Sequence, residues 1–108
     1  MGNSRSKGKR GEKAARDLLG DYDWQVLANT ADGVECEDII AMCPSGVCYS
    51  IEVKNRKLID IASFKKQAVK NATKKKLPWM IMAKIEGSKS WLIWQRSDSP
   101  KIWHEKGN

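Results

Sequence analysis

Nowhere does the chain hold an apolar run approaching the roughly 20 residues that a bilayer-spanning helix needs, which excludes that class of membrane protein. Its first residues, Ser4, Arg5, Lys7, Lys9 and Arg10 among them, are too polar for a secretory signal, so the expectation is a cytoplasmic protein, in the host cytoplasm if it is phage-encoded. Cysteine is scarce and odd in number. Cys36, Cys43 and Cys48 sit in a chain apolar enough to fold without staples, which points to free thiols and a reducing compartment. A zinc site is disfavoured, because Cys43 and Cys48 flank a turn and neither Cys36 nor His104 completes a standard ligand spacing. No repeat and no recognisable RNA-binding signature is present. Met1-Gly2 with Ser6 matches a myristoylation pattern that matters only in a eukaryotic host, and the Asn71 sequon falls on a predicted helix; neither is given weight.

Acid is also in deficit: 13 Asp and Glu stand against 20 Lys and Arg, leaving a net charge of +7. The excess is clustered. Arg5, Lys7, Lys9, Arg10, Lys13 and Arg16 crowd the start, while Lys65, Lys66, Lys70, Lys74, Lys75 and Lys76 crowd one later segment. Solubility alone explains scattered charge, but clusters of cations favour a polyanion partner, because lysines that neutralise phosphates release counterions from nucleic acid. A membrane surface is less favoured, since neither segment carries exposed Trp or Phe at membrane-helix spacing.

At 108 residues the chain is the size of one domain with one core, with residues 1–6 and 97–108 expected to be irregular. An apolar stripe of Ala14, Ala15, Leu18 and Leu19 predicts a helix over about 7–19, with Gly20 suited to its cap. Strands are expected at 24–28 and 37–42, and after a Pro44-Ser45-Gly46 turn at 47–54. In this last strand Tyr49, Ile51 and Val53 alternate with Ser50, Glu52 and Lys54. Asp60 or Ser63 caps a second helix reaching about 76, whose buried face is Ile61, Phe64, Ala68 and Ala72; Pro78 ends it. Strands at 79–84 and 90–95 follow, and Trp103 is free to dock.

Glu52 and Lys54 stand two apart on a strand and so share a face, where a carboxylate beside an ammonium serves either a surface ion pair or a metal and a water nucleophile. Asp38 shifts the balance. It precedes an apolar run, Ile39 to Met42, where an acid is costly to desolvate without a partner, and the hairpin can bring it back beside Glu52. Two neighbouring carboxylates repel, and a hard divalent cation resolves the conflict. Glu12 lies at the edge of the first helix's apolar stripe, placed either to reach the sheet or to pair with Arg16. Gln67 neighbours the Lys66, Lys70 and Lys74 stripe, which by itself is only a solvated helix face.

The motifs Lys7-Gly8-x-x-x-Glu12, Glu37-Asp38-Ile39-Ile40-Ala41, Ile51-Glu52-Val53-Lys54 and Gln67, in that order, resemble the PD-(D/E)XK nuclease superfamily, in particular its small Holliday junction resolvase-like and phage enzymes. The proline that commonly precedes the aspartate is Glu37 here, so Glu35 and Glu37 are rival acids and strand register decides among them. The resemblance implies an α/β restriction-endonuclease-like αβββαβ core, a mixed four- to five-stranded sheet flanked by helices. It implies Asp38, Glu52, Val53 and Glu12 as the metal set, Lys54 to place or activate the attacking water, and Gln67 to steady the lysine or a bound water.

The implied reaction is Mg²⁺-dependent hydrolysis of DNA phosphodiesters, with Mn²⁺ substituting, leaving 5′-phosphate and 3′-hydroxyl ends. Lys7, Lys9, Arg10, Lys13, Lys66, Lys70 and Lys74 would hold the DNA backbone, branched DNA included, without reading bases. A chain this small would grip two DNA arms as a homodimer. Two other classes stand beside this expectation: a catalytically silent DNA-binding module of the same fold, and a protein whose basic face meets RNA or an acidic protein.

Overall fold

The computed structural model describes residues 3–29, 38–56, 60–85, 87–97 and 99–106, with backbone alone at 3–10, 12, 28, 29, 38 and 56. Helix α1 (Asn3–Asp21) precedes strands β1 (Gln25–Asn29), β2 (Asp38–Met42) and β3 (Cys48–Arg56). Helix α2 (Ile61–Lys75) leads to β4 (Trp79–Ile85), β5 (Ser90–Gln95) and β6 (Lys101–His104). The six strands lie side by side in chain order. Neighbours are antiparallel except β3 and β4, which run parallel because α2 carries the chain back between them. Among the described residues no helix is long and apolar enough to cross a membrane.

Strand alternation hands each face of the sheet to a different helix. Ile39, Ala41, Ile51, Val53, Met80, Met82, Trp91 and Ile93 bury against Ala15, Leu18 and Leu19 of α1. The positions between them fall to the other face, where Ile81, Ala83 and Trp94 pack with Phe64 and Ala68 of α2. β3 is therefore covered on both sides, and every residue from Ser50 to Lys54 is buried.

Both helices end in the same way. Tyr22 follows α1, Asp23 takes a left-handed conformation (φ 65°), its N–H donates to Gly20 O and that of Trp24 to Leu19 O, while Trp24 and Leu19 share one core. The expected cap at Gly20 thus moves three residues on, to an aspartate able to hold a positive φ. At α2, Asp60 is the N-cap and accepts from Ser63 N at 3.3 Å. Lys76 (φ 57°) plays the left-handed role, with Leu77 N bonded to Ala72 O. Between β2 and β3, Gly46 (φ 95°) closes the turn by donating to Cys43 O.

The sheet is one strand wider than expected, because the tail is not irregular: Lys101–His104 pairs with β5. Helix α1 likewise begins at Asn3, inside the segment expected to be irregular. A four-residue strand shows too little alternation to be recognised, and distant partners hold it. Trp103 stacks on Tyr22 (centroids 4.3 Å), and Tyr22 Oη accepts from His104 N. Glu105 accepts from Lys84 Nζ at 2.9 Å and from Trp91 Nε1 at 2.8 Å. Trp91 and Trp94 are buried, one in each core.

Candidate active site

Asp38 is the Cα partner of Glu52 in the last paired position of β2 and β3. The next pair, Ile39 and Ile51, is fully buried on the α1 side, so positions 38 and 52 share the α2 face, with Cα atoms about 4.5–5.5 Å apart as in any antiparallel pair. Lys54, two residues on, occupies that same face and holds Nζ 3.2 Å from Glu52 Oε2. Its ammonium also lies over the Phe64 ring at 5.6 Å. Glu52 Oε1 accepts from Asn71 Nδ2 of α2 at 3.2 Å. Taking such ions out of water costs several kcal/mol each, and here the opposed charges and the amide offset that cost.

The polar row continues with Ser50, whose Oγ accepts from Lys75 Nζ at 3.4 Å. Phe64, Asn71 and Lys75 thus meet Lys54, Glu52 and Ser50 in that order, which fixes α2 antiparallel to β3. Helix α1 also runs antiparallel to β3: Gly11 abuts Asn55, while Trp24 beyond its C-terminus packs on Tyr49. A Cβ on Gly11 would come to 3.1 Å of Asn55 Cβ, so the glycine permits this close approach. Residues 3–10 carry the helix about 12 Å further at 1.5 Å per residue, past the end of the sheet where Glu52 and Lys54 lie.

The expected site residues divide accordingly. Backbone register pairs Asp38 with Glu52, the Asp38 side chain lying outside the described residues, and Lys54 stands beside Glu52. The Val53 side chain is buried in the α1-side core, leaving its backbone carbonyl as the oxygen able to ligate. Gln67 is exposed, and Asn71, one turn later, takes the place towards Glu52; Gln67 falls off the stripe formed by Phe64, Ala68 and Ala72. Lys66, Lys70 and Lys74 are exposed on α2, and Lys13 is exposed beside Asp17 at 3.2 Å. Lys7, Lys9, Arg10 and Glu12 are on α1, which covers the opposite face, and their side chains lie outside the described residues. Glu35, Glu37 and Cys36 also lie outside them.

Asn71 escaped sequence reasoning although its signal was present. It stands three residues after Ala68 and seven after Phe64, on the buried stripe, and a polar side chain there needs a partner. With the Glu52 carboxylate and the Val53 carbonyl, a carboxylate at position 38 would complete an all-oxygen donor set of the kind that suits a hard divalent cation. Among the described residues no group of three or more His, Cys, Asp or Glu gathers.

This fold, a mixed sheet with a helix on each face and with Glu52 and Lys54 on its third strand, is shared with a solved structure. That structure is of the Holliday junction resolvase Hjc of the archaeal hyperthermophile Archaeoglobus fulgidus, to which the chain is similar with a TM-score of 0.58 and 22% identity, over 90% of this chain and 88% of that one. The sequence matches no protein-family model and no curated protein.

Proposed function

We propose that the chain is a divalent-metal-dependent endodeoxyribonuclease acting on branched DNA. The observation that carries this reading is the register: Asp38 opposite Glu52, with Lys54 ion-paired to Glu52 on the same face. The shared fold with a Holliday junction resolvase supports it and supplies the substrate class.

Asp38, Glu52 and the Val53 carbonyl would hold the cation, and Glu12 at the basic end of α1 is assigned an accessory place. Bound there, Mg²⁺ or Mn²⁺ supplies a polarised phosphoryl oxygen and a more acidic attacking water. Lys54 positions that water and balances the charge gathering on the phosphate, while Phe64 keeps bulk solvent from one side of its ammonium. The exposed lysines of α2 and the basic N-terminal turns of α1 hold flanking phosphates, and these contacts fix register without reading sequence. Two DNA arms are gripped by a two-fold dimer in this reading.

One feature favours a silent DNA-binding module instead: Glu52 is 2% exposed, and Lys54 and Asn71 engage both its oxygens. Incubation with four-way junction, duplex and single-stranded DNA, with and without Mg²⁺ or Mn²⁺, separates the two. The nuclease cuts the junction only with metal, and Glu52→Gln and Lys54→Met, shown folded by circular dichroism, lose cutting while retaining binding. Junction binding with no cleavage under any metal selects the module.

A further inference from the structure

Three candidates outside the Asp38, Glu52 and Lys54 set stand out. The exposed Ile85 and Ile102 on the open part of the α2 face have no partner that the structure identifies. Asn55 Oδ1 is buried without a hydrogen-bond partner among the described residues, but nothing points to what would meet it. The third, Asn71, is tied by a defined contact to the chemistry itself.

The Glu52 carboxylate is pinned at both ends by donors of different kinds. Lys54 holds Oε2 with a full positive charge, and Asn71 holds Oε1 with a neutral amide. A cation arriving beside Asp38 competes with an ammonium, since two positive charges repel at one oxygen. It does not compete with an amide in that way. The Asn71 contact can therefore persist while the Lys54 contact is exchanged, so that the carboxylate keeps its orientation when its ionic partner changes. The surroundings fit a rigid tether: Asn71 is half-buried and sits between fully packed Ala68 and Ala72 on a helix capped at both ends.

We propose that Asn71 is a positioning residue that presents the Glu52 carboxylate to the divalent cation, a role that rests on the nuclease reading above. Groups that orient a metal ligand from behind typically change metal affinity 10- to 100-fold when removed. A residue that merely satisfies a buried carboxylate changes stability and leaves metal affinity alone.

The test is Mn²⁺ binding to the DNA-free protein, followed by electron paramagnetic resonance, together with thermal melting with and without Mn²⁺. Wild type, Asn71→Ala, Asn71→Ser, Asn71→Asp and Glu52→Gln are compared. Asn71→Ala is expected to bind Mn²⁺ 10- to 100-fold more weakly. Asn71→Ser, which retains a donor, recovers part of that loss and keeps the proposal testable should the alanine variant unfold. Asn71→Asp sets a second carboxylate against Glu52 and is expected to melt lower without metal and to gain more from Mn²⁺ than wild type does. Unchanged Mn²⁺ affinity in the folded alanine and serine variants overturns the role of Asn71 and leaves the nuclease reading standing. Absence of Mn²⁺ binding in wild type removes the nuclease reading, and this proposal with it.

Discussion

At the residue scale, Glu52 and Lys54 are each the condition for the other's burial. Glu52 is 2% exposed and Lys54 8%, so truncating either leaves an ion in a medium that solvates it poorly. Lys54→Met is expected to destabilise the fold by about 3–5 kcal/mol, because the neutral donor of Asn71 does not replace the lost charge. The double variant Glu52→Gln, Lys54→Met should recover most of that loss, since both ions leave together. Urea denaturation of wild type, the two single variants and the double variant measures the coupling; purely additive effects would show that the 3.2 Å pair contributes nothing.

At the scale of elements, β6 depends on distant partners more than on its own sequence, and the Glu105 that follows it adds an ion pair. Burial opposes the charge on Glu105, but the Lys84 ammonium and the Trp91 N–H outweigh it and hold its pKa below the ordinary 4.5. Because the folded value is the lower one, the carboxylate contributes stability above pH 4.5, and that contribution is lost as pH falls through the folded value. Urea midpoints measured across pH 2.5–6 should therefore fall more steeply below about pH 4.5 in wild type than in Glu105→Gln. Equal slopes would remove Glu105 as the clasp of the last strand. The same chain segment shows why β6 was not legible in advance. Its alternation spans four residues, while its partners Tyr22, Lys84 and Trp91 are scattered over most of the sequence.

At the scale of the molecule, both helices run antiparallel to β3, so their N-terminal ends lie at the end of the sheet that holds Lys54. The basic first turns of α1 therefore begin at that end, while the Lys66, Lys70 and Lys74 stripe runs from near it along the length of α2 on the other face. If Lys66, Lys70 and Lys74 contact DNA phosphates, log affinity against log salt should be linear, with a slope of about −0.9 per phosphate on duplex DNA. The triple alanine variant should flatten that slope by up to about 2.7 and weaken binding to all sequences alike, which fluorescence anisotropy from 50 to 300 mM salt would measure. An unchanged slope would move the DNA away from the α2 face.

By itself the sequence determined the two helices and the strands as far as Gln95, because the spacing of Leu18 and Leu19, of Phe64 and Ala68, and of Ile51 and Val53 leaves one way to bury each apolar face. It also determined that Glu52 and Lys54 share a side of their strand, since strand geometry has a period of two. What only the tertiary structure decided was the company they keep. Register placed Asp38 opposite Glu52, and the rotation of α2 put Asn71 and not Gln67 against the carboxylate. The physical reason is that local spacing fixes a side chain's direction from its own backbone, whereas which atoms it meets depends on how separately formed elements slide and turn against one another.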